Sequence, residues 1–186
     1  MPRPTGTGTT ENLTTVSIVA FGLSHRTARL ATLERLSVAK ERLPKLLRQL
    51  CADDSVAGAV VLSTCNRTEV YVDAERFHDS YRAARDCLAD QADAHPDEVA
   101  PHLGISYEVE AVDHLFTVAA GLDSAVLGEH EILGQVRDAW ELARAEGTVT
   151  PALDLLFRRA VEVGKRVRSD TAIGRGTASV GHAAVG

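Results

Sequence analysis

No stretch of this 186-residue chain stays apolar for the roughly 18–20 residues that a bilayer span needs. The start, MPRPTGTGTTENLTT, lacks the apolar centre of a secretory signal. Cysteine is scarce: Cys51, Cys65 and Cys87 form an odd set at wide, unmatched spacings. That argues against a disulfide framework and against CxxC zinc or redox sites, so reduced thiols are expected. Basic charge is not in excess either. With a net charge of -6, any contact with nucleic acid has to be local rather than global. No G-x-G-x-x-G follows a strand pattern, and GRGTAS from Gly174 follows a helical one, so a dinucleotide fingerprint is missing. No repeat of fixed period occurs. What is left is an ordinary globular composition, 45% hydrophobic and 25% charged, enough for one core and expected in the cytoplasm.

Residues 1–13 are rich in Thr, Gly and Pro and read as a tail without structure. The β-branched run from Thr14 predicts a strand over 15–21, closed by Gly22. Leu33, Leu36, Leu43, Leu46, Leu47 and Leu50 recur at helical spacing in two segments, and Pro44 suits the first turn of the second. Val56 to Leu62 reads as a strand buried on both faces, and Thr68 to Val72 alternates like its antiparallel neighbour. Phe77 to Gln91 follows a helical period that ends before His95-Pro96. The second half is helical throughout. Its stripes are Val109, Val112, Phe116 and Ala119, then Ile132, Val136, Trp140 and Ala143, then Leu153, Leu156, Ala160 and Val163. The expected fold class is α+β: a small antiparallel sheet with flanking helices over 14–108, packed against a helical lobe over 109–171. Residues 172–186 read as the start of a further helix.

Between the two central strands stands STCNR. Cys65 there follows a buried strand and falls in a turn open to a reacting carbonyl, where Thr64 and Asn66 can donate to an oxyanion. Arg67 two residues on can favour the thiolate if its guanidinium lies close. Taken alone, a cysteine after a Val-rich strand is more often a packed core residue, and Cys51 and Cys87 beside Leu50 and Leu88 read as small core hydrophobes. A turn arginine and a helix histidine such as His114 are, alone, equally ordinary.

STCNRTEVY (Ser63 to Tyr71), GLSHRTA (Gly22 to Ala28), HLFTVAAGLDSAVLGEHEILGQV (His114 to Val136) and KRVRSDTAIG (Lys165 to Gly174) together resemble the signatures of the glutamyl-tRNA reductase family. The match runs from about Val19 to Val185 and is similar to that family's N-terminal catalytic domain. The resemblance implies NADPH-dependent reduction of glutamyl-tRNA to glutamate-1-semialdehyde through a cysteine thioester, at the head of tetrapyrrole (porphyrin) biosynthesis. It maps the nucleophile onto Cys65 and the active-site histidine onto His114, expected on facing walls of one cleft. It gives Thr64, Asn66, Arg67, Ser124, Glu129, His130, Glu131 and Gln135 to substrate binding, with the Arg67 fork on the substrate carboxylate. NADPH is expected to bind in a domain outside this chain, and no metal is implied. Expected partners are glutamyl-tRNA, a second copy in a homodimer and glutamate-1-semialdehyde aminomutase, with no membrane.

Two positions depart from the family. His130 and Glu131 stand where Pro and Gln are usual, which sets an extra carboxylate near an acidic substrate unless Glu131 turns to solvent or finds a cation. Arg29 stands where Pro is common and is expected to be peripheral. His25 is a second loop histidine that could approach the site. Arg158, Arg159, Lys165, Arg166 and Arg168 lie on one helical segment, either touching tRNA phosphates or forming a solvated face with Glu162 among them. Two readings compete with the reductase half-site: a cysteine esterase that deacylates glutamyl-tRNA, and a binding module without catalysis.

Overall fold

The computed structural model describes residues 17–125, 128, 131–171 and 173. The expected tail, and all but one residue of the expected helix over 172–186, lie outside these.

Four strands, β1 (Ser17–Ser24), β2 (Val56–Ser63), β3 (Arg67–Ala74) and β4 (Gly104–Tyr107), form one sheet in the order β2-β3-β1-β4. Every pairing is antiparallel. Helices α1 (Leu30–Leu36), α2 (Leu43–Leu50) and α3 (Phe77–Gln91) lie on one face, and the single turn α4 (Pro96–Val99) precedes β4. Helices α5 (Val109–Ala119), α6 (Glu131–Ala145) and α7 (Pro151–Asp170) cover the other. Aromatic pairs mark the two faces. Phe21 packs edge-on against Tyr81 of α3 at 5.7 Å, whereas Tyr71 packs edge-on against Phe157 of α7 at 5.3 Å.

The α+β expectation therefore holds, with a refinement: the helical part lies directly on the sheet and shares one continuous core with it. Helix starts follow the expected chemistry. Pro44 falls in the first turn of α2, where no intrahelical N–H is needed, and the Thr150 hydroxyl accepts from the Leu153 N–H ahead of Pro151 in α7.

Three sequence expectations need correction. β1 does not stop at Gly22 but runs on to Ser24. Gly22 is there for space, because a Cβ on it would lie 2.7 Å from Glu69 Cγ and 2.8 Å from the Thr68 carbonyl across the ladder. β3 has no solvent face: all eight residues are buried, and its alternating polarity places polar side chains inside the molecule. The buried stripe of α5 is Ala111, Leu115, Val118 and Ala119, so of the expected positions Ala119 is buried, Val112 and Phe116 are half-buried and Val109 is exposed.

Gly164 of α7 lies directly against the C-terminal end of α5. A Cβ there would meet the Ala119 carbonyl oxygen and Leu133 Cδ1, each at 2.7 Å. The Arg168 guanidinium donates across the same contact to the carbonyls of Ala119 (2.7 Å) and Gly164 (3.0 Å). Gly164→Ala gains about 1 kcal/mol of helix propensity. The clash involves backbone and overpacking costs about 1–3 kcal/mol, so a net loss of stability is expected in urea unfolding.

Candidate functional site

The turn between β2 and β3 is closed by the Thr64 N–H donating to the Arg67 carbonyl at 2.8 Å. The Thr64 hydroxyl accepts from the Asn66 N–H at 3.2 Å, and the Asn66 carbonyl accepts from the His25 N–H at 2.9 Å. Two loops are thus tied together around Cys65, whose side chain is exposed. His25 has its Nδ1 buried without a hydrogen-bond partner among the described residues.

Arg67 is not in the turn. It opens β3 and is 1% exposed, with its side chain toward the helices α5 to α7. One terminal nitrogen donates to Glu69 Oε1 at 2.8 Å. The other donates to the backbone carbonyl of Asp123 and to its carboxylate at 3.2 Å. The guanidinium is therefore already held by two internal carboxylates, and a substrate carboxylate reaches it only through an exchange of partners.

Glu69 is the centre of the cluster. Its Oε1 also bonds His114 Nε2 at 2.9 Å, and its Oε2 accepts from the Tyr71 hydroxyl at 2.7 Å. Burial pushes the Glu69 carboxyl up, but the His114 hydrogen bond, the Arg67 charge and the Tyr71 hydroxyl outweigh it and hold the group below the ordinary range. The bond to Glu69 raises His114 above its usual value, against the opposing effect of burial. Burial and the Glu69 charge hold the Tyr71 phenol far above its usual value, so it remains a donor. With Arg26 Nε on Asp123 at 2.6 Å, two guanidinium groups balance two carboxylates. A protonated His114 then leaves one positive charge in excess.

The pH dependence follows from these directions. Glu69, lowered in the fold, contributes stability above its unfolded value near about 4.3, lost as pH falls through the folded one. His114, raised in the fold, contributes fully below about 6.5, and that share is lost as pH rises through its folded value. Denaturant stability is expected to be greatest between these limits and to decline above about pH 6.5, with the upper decline absent in His114→Asn.

Glu69, Tyr71, Asp123 and Arg26 were not read from the sequence as site residues. The available signal was a run of polar side chains on a strand flanked on both sides by apolar ones.

The other expected site residues fall as follows. Ser124 is half-buried next to Asp123. Glu131 is exposed at the first turn of α6, so its carboxylate turns to solvent and faces the positive end of the helix dipole. Gln135, one turn on, lines a cavity of about 510 Å³ with Ser63 and Lys40. His114 and Glu69 line a different cavity of about 320 Å³, together with Asp123 and Arg26. Glu129 and His130 lie outside the described residues. Neither of these two cavities is lined by Cys65. The basic helix splits up: Arg159 pairs with Glu162 at 2.8 Å, Arg166 lies 4.0 Å from Asp170, and Arg168 is used between helices.

The three thiols differ sharply. Burial and nearby aspartates push Cys87 up to about 11, and burial also raises Cys51. Iodoacetamide at pH 8 is expected to label Cys65 first, with the other two labelled at comparable rates only after unfolding, as read by peptide mass mapping. Among the described residues no cluster of His, Cys, Asp and Glu is arranged to hold a metal ion, and no helix is long and apolar enough to cross a membrane.

Residues 21–171 match the family model for the N-terminal domain of glutamyl-tRNAGlu reductase. The chain is 42% identical over 170 residues to glutamyl-tRNA reductase 1 of Nocardioides sp., covering 91% of this chain and 40% of that protein. It is 44% identical over 165 residues to glutamyl-tRNA reductase of Frankia alni, covering 89% of this chain and 35% of that one. The solved structure of glutamyl-tRNA reductase from Methanopyrus kandleri superposes with a TM-score of 0.73 at 35% identity, over 90% of this chain and 38% of that one. The chain thus spans about two fifths of the length of these relatives. An exposed cysteine in a tethered turn, beside a buried Arg-Glu-His cluster, is set on a fold and a sequence shared with these proteins, and the chain belongs to the glutamyl-tRNA reductase family, through its N-terminal domain.

Proposed function

We propose that this chain performs the acyl-transfer half of glutamyl-tRNA reduction, with Cys65 as nucleophile. The observation that carries the reading is the position of Cys65. It is the exposed thiol, at the tip of a turn whose next strand delivers Arg67 and Glu69 to His114. The Cys65 sulfur attacks the ester carbonyl joining glutamate to the tRNA, the S–C bond forms, and the tetrahedral oxyanion collapses. The C–O bond breaks, its electron pair goes to the ribose oxygen, and that oxygen takes up a proton. An ester is already activated, so orientation is the main demand on the protein.

His114 is held by Glu69 through Nε2, which fixes the ring and leaves its other nitrogen for hydrogen bonding or proton transfer at the reacting ester. Arg67 reads the substrate carboxylate by exchange: the incoming acid takes the place of Asp123, which Arg26 retains. The excess positive charge on the cluster with His114 protonated favours that exchange. Thr64, Asn66 and Ser124, with Glu129 and His130, complete the substrate contacts, while Glu131 stays in solvent and Gln135 lines the separate cavity reached from Ser63.

The family implies NADPH for the reduction. The described residues do not fit it: the sheet is wholly antiparallel, without the strand-helix-strand crossover whose glycine turn holds a dinucleotide pyrophosphate. The chemistry of this chain therefore ends at the thioester, which water converts to free glutamate and the thiol. Incubating the chain with charged tRNA, with and without NADPH, tests the reading. Glutamate release and a cysteine-linked adduct are expected in both cases. NADPH-dependent semialdehyde would contradict the assignment of acyl transfer alone, and intact charged tRNA would contradict the acyl transfer.

A further inference from the structure

A cavity of about 500 Å³, within the roughly 300–1,000 Å³ range of small-ligand sites, opens at Asn66 and borders the Arg67 cluster only through Arg26 and Thr27. Its wall includes Asn66, the residue after the nucleophile, and the β1 to α1 loop that hydrogen-bonds to it. The lining carries two guanidinium groups and no carboxylate. Arg26 is committed to Asp123, whereas Arg29 is exposed and has no ion pair among the described residues. Leu30, 63% exposed, and the buried Leu33 supply an apolar wall, and His25 with its unmet Nδ1 stands beside Asn66.

We infer that this cavity receives the 3′-terminal nucleotide of the aminoacyl-tRNA, with the base against Leu30 and Leu33 and the backbone phosphate at Arg29. The inference rests on the acyl-transfer reading and adds where the leaving group lies. The glutamyl group and the ribose diverge from the ester carbon that Cys65 attacks. The Arg67 side of the turn takes the acid, so the nucleotide must leave toward another wall. Charge selects between the two cavities that flank the turn. The one reached from Ser63 sets Lys40 against Asp138 and Glu141 and repels a polyanion. The one at Asn66 has no carboxylate in its lining and carries Arg29 beside the Asp123-bound Arg26, and its exposed leucine gives a base a face to cover. Arg29, where the family resemblance suggested a peripheral residue, then becomes the phosphate contact.

The test uses Arg29→Glu and Leu30→Ser, both exposed positions whose replacement leaves the core intact. Acylation of Cys65 is followed in single turnovers from glutamyl-tRNA and from the α-p-nitrophenyl ester of glutamate, which has no nucleotide. The ratio of the two rates is expected to fall by about tenfold in each variant, the scale of one lost phosphate contact or stack. The trinucleotide CCA should bind the wild-type chain, compete with the tRNA, and bind Arg29→Glu at least several-fold more weakly. An unchanged ratio overturns the inference. So does an equal loss with both substrates, which would place the effect on the nucleophile turn. A wild-type chain acylated by neither substrate overturns the acyl-transfer reading instead, and failure of that chain to bind CCA overturns the nucleotide site by a separate observation.

Discussion

Cys65→Ser is expected to lower the deacylation of glutamyl-tRNA by roughly 10³-fold or more, the scale on which removal of a nucleophile acts in enzymes with covalent intermediates. Serine keeps the size and polarity of the side chain, and the position is exposed, so folding should be unaffected. What changes is the nucleophile: a hydroxyl with no adjacent base is far less ionised than a thiol at neutral pH. Single-turnover kinetics with charged tRNA, alongside circular dichroism of both proteins, would measure this. Deacylation at the wild-type rate in a folded Cys65→Ser would remove the cysteine from the mechanism. It would leave water, activated by the His114-Glu69 pair, as the attacking group. Loss of deacylation with no adduct in the wild type would favour an esterase in which the acyl-enzyme never accumulates. Retained tRNA binding without turnover in either protein would favour the non-catalytic module.

The second large effect is on the fold. Glu69→Ala removes one carboxylate that accepts from Arg67, His114 and Tyr71 at once, all of them at least half-buried. Removing one partner of a buried ion pair costs up to about 3–5 kcal/mol, and here the buried Arg67 is left with Asp123 alone, which Arg26 also holds. Against a total stability of about 5–15 kcal/mol for a domain, that is enough to shift the urea midpoint strongly. Glu69→Gln keeps the volume and one acceptor and should lose less. The stability of this variant should depend less on pH near neutrality than that of the wild type, since the Glu69 hydrogen bond is the largest cause of the raised His114. If Glu69→Ala unfolds within about 1 kcal/mol of wild type, the cluster is not the stabilising element described here.

The order β, α, β, β, α followed by three long helices was legible because those elements carry strong periods and their ends carry Pro or Gly. β4 was not. Gly104, Ile105, Ser106 and Tyr107 form a four-residue edge strand with little apolar content, which gives no period to read. The missed extension of β1 has a different cause. A glycine in a strand reads as a stop unless one knows that a glutamate lies opposite it, and only the ladder between Gly22 and Glu69 supplies that fact. The helical stripe of α5 slid by one position because Ala111, Val112, Leu115 and Phe116 are all apolar, so composition alone does not say which pair faces the sheet.

The candidate site divides in the same way. Cys65 and His114 were legible from motifs. The partners of Arg67 were not, since polar residues alternating with apolar ones usually mark a solvent face. That rule fails for a strand lying between two helical layers, where Arg67, Glu69 and Tyr71 point into the second layer and satisfy one another. Asp123 lies 56 residues from Arg67 and its contribution depends wholly on the packing of the helices on the sheet.

The central claim, that Cys65 takes the glutamyl group from tRNA, is tested most directly by acid-quenching the chain with glutamyl-tRNA and locating the adduct by peptide mass spectrometry. A glutamyl group on the peptide containing Cys65, labile to hydroxylamine as a thioester is and absent from Cys65→Ser, is the predicted result. A stable adduct elsewhere, or charged tRNA consumed as fast by Cys65→Ser as by the wild type, would contradict it.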